Sequence, residues 1–194
     1  MGNEKFTFFW IEGPFSQWSN YGFKLAGKKY GTNEEWEELY YNCAEQWMMA
    51  CKARHFGDVE TFSKIMKTDN PREQKKLGRQ VKGFSVNIWS KVACQYVYEG
   101  NVAKFIQNPE ARRKLFETVG TTLVEASPKD IIWGIGLGSD DPDALDRSKW
   151  KGLNWLGETL TKVRDDLIAL WSKRFGSYFR LPQSDNSLGE INGT

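Results

Sequence analysis

The sequence predicts an α+β fold, mostly α, with a few short antiparallel strands and one compact domain. Three observations lead there. Helix-start chemistry recurs, with Asn70-Pro71 and Asn108-Pro109 each placing a capping amide before a proline. Leu153, Leu156, Leu160, Val163, Leu167 and Leu170 step by three and four residues, which is the spacing of one helix face. Aromatic and β-branched runs stay short, so strands are a minor component. The 194 residues are enough for one substantial core.

In chain order, Phe6 to Ile11 reads as a strand that is apolar on both faces. Phe23 to Tyr30 reads as a hairpin turning near Gly27, and acidic Thr32 to Tyr41 as an exposed insertion. A helix follows over Asn42 to Phe56, stopped by Gly57, and Asp58 caps the next over Val59 to Lys67. Asn70, Pro71 and Glu73 open a third helix with box-like spacing. Another carries Trp89 between Val86 and Tyr98, and one after Pro109 ends at Gly120. Thr122 to Ala126 and Ile131 to Leu137 read as short extended segments, and the apolar stripe makes the last helix. The domain is expected over residues 1–175, with 176–194, rich in Gly, Ser, Asn and Asp, as a loosely ordered tail.

Composition removes several function classes. The 27 Lys+Arg against 25 Asp+Glu leave a net charge of +2, without the basic excess of a dedicated polyanion binder. A local patch touching a nucleic-acid end stays compatible with that balance. Three cysteines without CxxC spacing argue against a disulfide framework or a zinc knuckle. His55 is the only histidine, so neither a His-rich metal site nor a Ser-His-Asp triad is expected, and a helix-end role suits it better. No bilayer-length apolar run and no signal-peptide layout are present, and Phe6 occupies the position where a myristoylation signal needs Ser or Thr. A soluble, cytoplasmic protein is expected. The nine Trp mostly fill a core, yet indoles also offer stacking surface for a planar ligand.

Two clusters are chemically unusual. Between Cys43 and Ala53 the helix is apolar nearly all round, which implies burial, but Glu45 and Lys52 interrupt it. Seven residues place them on nearly one face, roughly 10 Å apart along the axis. Too distant to pair directly, they either line a wet cleft or lie along a narrow solvent stripe. In the second cluster, Glu125 and Asp130 flank the Ser127-Pro128 turn just before Trp133-Gly134-Ile135-Gly136. Its glycines do not follow the dinucleotide-binding fingerprint. They either admit backbone N–H groups to a phosphate or form a buried bulge and turn.

Five blocks, in order, carry a family resemblance between about residues 6 and 170. The first is Pro14-Phe15-Ser16 with Phe23, and the second Ala44-Glu45-Gln46 followed by Lys52-Ala53. Ala103-Lys104-Phe105 with Gln107-Asn108 is the third; Leu123-Val124-Glu125-Ala126 with Asp130 and Trp133-Gly134-Ile135-Gly136 is the fourth. The last runs from Trp150-Lys151-Gly152-Leu153-Asn154-Trp155-Leu156-Gly157 to Val163-Arg164. Together they resemble the NADAR family, the YbiA-like N-glycosidases. One departure concerns the first block: the family commonly has Ser-Asn there, whereas Ser16 is followed by Gln17 and Trp18, with Ser19-Asn20 three residues later.

The resemblance implies a compact, mainly helical YbiA-like fold acting on ribosyl N-glycosides. Breaking a ribosyl C1′–N bond develops positive charge on the sugar, which carboxylates stabilise while one of them activates water. Glu45, Glu125 and Asp130 are the implied carboxylates. Lys52 would bind a phosphate, lower a neighbouring carboxylate's pKa, or attack the opened sugar as an imine-forming amine. Substrate binding would fall to Ser16, Gln17, Trp18, Lys104, Trp133 and Gly134, with the indoles stacking and Lys104 holding phosphate oxygens or lying as surface charge. The favoured substrate is ADP-ribose on guanine, free or in nucleic acid, cleaved by a monomer without metal, cofactor or membrane partner. Ribosylamino-pyrimidine phosphates of riboflavin synthesis are the rival substrate. A non-catalytic module binding ADP-ribose or NAD is the rival of another class.

Overall fold

The computed structural model describes residues 4–182. Its elements are β1 (Phe6–Phe9), β2 (Phe23–Lys28), β3 (Glu35–Tyr41), α1 (Ala44–His55), α2 (Val59–Met66), α3 (Pro71–Gly78), α4 (Val86–Trp89), α5 (Ala93–Gln107), α6 (Pro109–Phe116), β4 (Thr122–Glu125) and α7 (Trp155–Phe175), with short 3-10 turns. The fold is α+β and mostly helical. Among the described residues no helix is long and apolar enough to cross a membrane.

α1 is the central element because its sequence leaves it no polar face. Of its residues only Arg54 escapes burial, and α2, α3, α5 and β3 surround it. Its Trp47 packs edge-on to Tyr41 and donates from Nε1 to the Tyr96 carbonyl on α5 at 2.6 Å. Two glycines permit this closeness. A Cβ on Gly100 would collide with the Trp47 indole, and one on Gly78 with Met49 Sδ, so α5 and α3 both lie tightly against α1.

The helix starts follow local chemistry. Asp58 accepts from Thr61 N at 3.0 Å, and Asn70 accepts from both Arg72 N and Glu73 N. Asn108 precedes α6 as expected, but its side chain donates instead to the Gly22 and Lys104 carbonyls. The helix expected over Val86 to Tyr98 is two: the chain turns at residues 90–92, and Trp89 stacks on Tyr96 at 5.7 Å. Leu153 precedes α7 and is exposed, whereas Leu156, Leu160, Val163 and Leu167 form its buried stripe.

The strands depart more from the sequence reading. No hairpin turns at Gly27; β2 pairs antiparallel with β3, a strand formed by the acidic stretch expected as an insertion. Trp36 and Tyr41 are buried while Glu35, Glu37 and Glu38 face out, so the acidic residues are the solvent side of a strand. β1 and β4 pair in parallel, contrary to the antiparallel expectation, from Phe6 opposite Thr122 to Phe9 opposite Glu125. Residues 131–137 are bends and not a strand, because their backbone groups serve the segment before α7 and its first turn: Leu153, Asn154 and Leu156 donate to the carbonyls of Ile131, Gly134 and Trp133. After α7, Gly176–Tyr178 form a 3-10 turn and Phe179 packs edge-on to Phe116 at 5.8 Å. The rest of the expected tail, 183–194, lies outside the described residues.

Candidate active site

A cleft of about 720 Å³ opens where α1, α3, α4, the loop after β1 and the loop after β4 meet. Glu45 and Lys52 reach it from α1, so they line a cleft rather than a solvent stripe. Glu125 enters from the last position of β4, and Asp130 and Trp133 from the loop that follows. Ser16, Gln17 and Trp18 border it from the loop after β1.

Hydrogen bonds hold most of the side chains that the loops after β1 and β4 supply. Trp18 Nε1 donates to Glu45 Oε2 at 3.3 Å, while Ser16 Oγ accepts from Trp18 N at 3.1 Å. The Gln17 carbonyl accepts from Glu45 N at 2.9 Å, which ties this loop to the first turn of α1. The Gln17 Oε1 accepts from Asn101 Nδ2, and its Nε2 is buried without a partner among the described residues. Asp130 Oδ1 accepts from Ile132 N and Trp133 N, so one carboxylate oxygen shapes the turn that presents the Trp133 indole. That indole packs edge-on to Trp155 at 5.7 Å.

Glu125 depends on a residue the sequence reading did not single out. Asn154 is fully buried with a left-handed backbone, φ 53°. Its Oδ1 accepts from Glu125 N at 3.0 Å and its Nδ2 donates to the Leu123 carbonyl at 3.0 Å. The amide thus mimics a neighbouring strand along β4 and fixes the end from which Glu125 projects. Its place in the last block of family resemblance is the available signal, but nothing local distinguishes it from a helix cap.

Two expected ligand contacts lie behind the cleft wall. Lys104 is fully buried, not a surface charge, and donates to the Ser16 carbonyl at 3.0 Å and Ser19 Oγ at 2.8 Å. It therefore braces the loop carrying Trp18, and burial pushes its pKa down to about 7. Gly134 is buried against the Glu125 and Asp130 carbonyls, where a Cβ would press on both, so its role is packing. His55 also lies away from the cleft, with Nδ1 hydrogen-bonded to Tyr96 Oη at 2.9 Å.

The electrostatics of the cleft favour proton transfer. Burial, reinforced by the Asp130 charge, raises the Glu125 pKa to about 7. Burial also raises that of Glu45, against the pull of Lys75. Lys52 is shifted down by burial and then by Arg79, and its Nζ lies 3.8 Å from the Phe84 ring centroid. Arg72 and Lys75 of α3 and Arg79 at its C-cap line the cleft and were missed, since cations on a short polar helix read as solvated surface.

A buried acid poised near neutrality, two further carboxylates, an amine and two indoles meet in one cleft, an arrangement capable of acid–base chemistry. The NADAR domain model matches residues 8–168, and the chain belongs to that family. It is 45% identical to "N-glycosidase R617" of Acanthamoeba polyphaga mimivirus, over 78% of this chain and 86% of that protein. It is 32% identical to "Riboflavin biosynthesis protein PYRR, chloroplastic" of Arabidopsis thaliana, over 60% of this chain but only 19% of that protein. The NMR structure of Escherichia coli YbiA shares the fold with a TM-score of 0.65 at 24% identity, covering 88% of this chain and 89% of YbiA.

Proposed function

We propose that this chain is an N-glycosidase that hydrolyses a ribosyl C1′–N bond, and that its substrate is ADP-ribose attached to guanine. The observation that carries the reading is the meeting of Glu45, Glu125, Asp130 and Lys52 with Trp18 and Trp133 on one cleft. Glu125, with a pKa raised to about 7, is the proton donor to the departing base. Its unbonded, buried Oε2 suits a group that meets its partner only when substrate is present. Glu45 and Asp130 balance the positive charge that builds on the sugar, and one of them takes the proton of the attacking water. Lys52 acts as a positioning charge two helical turns from Glu45. Trp18 and Trp133 stack the planar groups.

The names of the relatives support the bond: the mimiviral protein is called an N-glycosidase. The riboflavin name of the Arabidopsis relative favours the second reading, a ribosylamino-pyrimidine phosphate as substrate. Incubation with each compound, followed by mass spectrometry of the freed base, separates them. Guanine or guanosine release from the ADP-ribosylated nucleoside alone is expected. Turnover of the pyrimidine alone would replace the substrate, and binding without release of either base would return the chain to a binding module.

A further inference from the structure

We infer that the inner face of α3 and of the residue that caps its end, through Arg72, Lys75 and Arg79, is an anion subsite that takes a diphosphate in preference to a single phosphate. All three residues line the cleft. Their spacing of three and four residues sets them along one stripe over two turns, roughly 10 Å end to end. None is ion-paired among the described residues, although Lys76 on the same helix pairs with Glu73. Unpaired cations gathered on a cleft wall repel one another, and an anion spanning them removes that cost.

Other features define the kind of anion. The Asn70 side chain already accepts from Arg72 N and Glu73 N, so the side chains and not the first amides of α3 are what a ligand meets. Gly78 seats the helix against Met49 of α1, which fixes the cations relative to Glu45 and Lys52. Lys75 and Arg79 both act electrostatically on Glu45, and Lys75 on Glu125, which puts them within charge–charge range of the reacting end. Lys75 Nζ also lies 6.0 Å from the Trp18 ring centroid, beside the stacking surface. One or two cations satisfy a single phosphate; three along two turns match the longer row of oxygens on a diphosphate.

The inference rests on the proposed reading only in making the bound anion part of the substrate, so binding is tested without turnover. The full chain is titrated calorimetrically with inorganic pyrophosphate and with inorganic phosphate, in the absence of divalent ions. Pyrophosphate is expected to bind about tenfold or more tightly than phosphate. Arg79→Gln and Lys75→Gln should each weaken it by about five- to tenfold, and Lys76→Gln should leave it unchanged. Equal affinity for the two anions, no detectable pyrophosphate binding, or indifference to the α3 substitutions would each overturn the subsite. Pyrophosphate selectivity carried by α3 without any base release would sustain the subsite and sink the enzymatic reading. Base release with a KM unmoved by Arg79→Gln would do the reverse.

Discussion

Glu125 combines two consequences of one environment. With a folded-state pKa raised from 4.5 to about 7, it favours folding in its protonated form. That contribution is fully present below about pH 4.5 and is lost as pH rises through about 7. Glu125→Gln removes the ionisation, so its stability relative to the parent should improve by about 1–3 kcal/mol between pH 5 and pH 8 in denaturant titrations. In the proposed role Glu125 donates this same proton, so turnover should fall along the same limb in the parent, while the Gln variant should be inactive at both ends. A variant with a flat relative stability would mean that Glu125 titrates normally. Trp133, half-buried against Trp155 with an edge on the cleft, is testable by ligand affinity. Trp133→Ala should cost about 1–3 kcal/mol of binding, and an unchanged Kd in a folded variant would reduce the indole to packing.

Asn154 shows how one element holds another. Its amide serves Glu125 N and the Leu123 carbonyl, and its left-handed backbone lets α7 begin directly beneath β4. Asn154→Ala strands two buried backbone groups and places a Cβ-bearing residue without local hydrogen bonding in the left-handed region. A loss of about 2–4 kcal/mol is expected, with kcat falling more than binding because Glu125 loses its anchor. A kcat unchanged after correction for the folded fraction would show that β4 needs no such brace. Elements whose signals are local were legible: Asp58 and Asn70 cap their helices through their own side chains, and the apolar spacing of Leu156 to Leu167 marks the buried face of α7. Elements whose identity depends on a distant partner were not. The carboxylates of β3 masked Trp36 and Tyr41 as an inward-facing pair, and β1 cannot reveal that its parallel neighbour lies more than a hundred residues away.

Across the whole molecule, the cleft gathers short stretches of α3, α4 and the loops after β1 and β4 against the buried helix α1. Glu45, Lys52, Glu125 and Asp130 could be singled out in the sequence because they interrupt or border apolar runs and match family blocks. Arg72, Lys75 and Arg79 could not, since charge on an amphipathic helix looks alike whether it faces water or a cleft. Lys104 failed the other way: its match to a block is real, but its ammonium serves the Ser16 and Ser19 loop. With one histidine in the chain, and that one tied to Tyr96, turnover is expected to survive chelation. Loss of activity in EDTA, restored by a divalent ion without refolding, would overturn that expectation. The most direct test of the N-glycosidase cleft measures ligand affinity and base release side by side in Glu45→Gln and Asp130→Asn. The amides keep shape and hydrogen bonding but neither accept a proton nor balance a sugar cation. Near-parental affinity with base release reduced by about 10²–10⁴ is the predicted result; base release at the parental rate from both variants would contradict it.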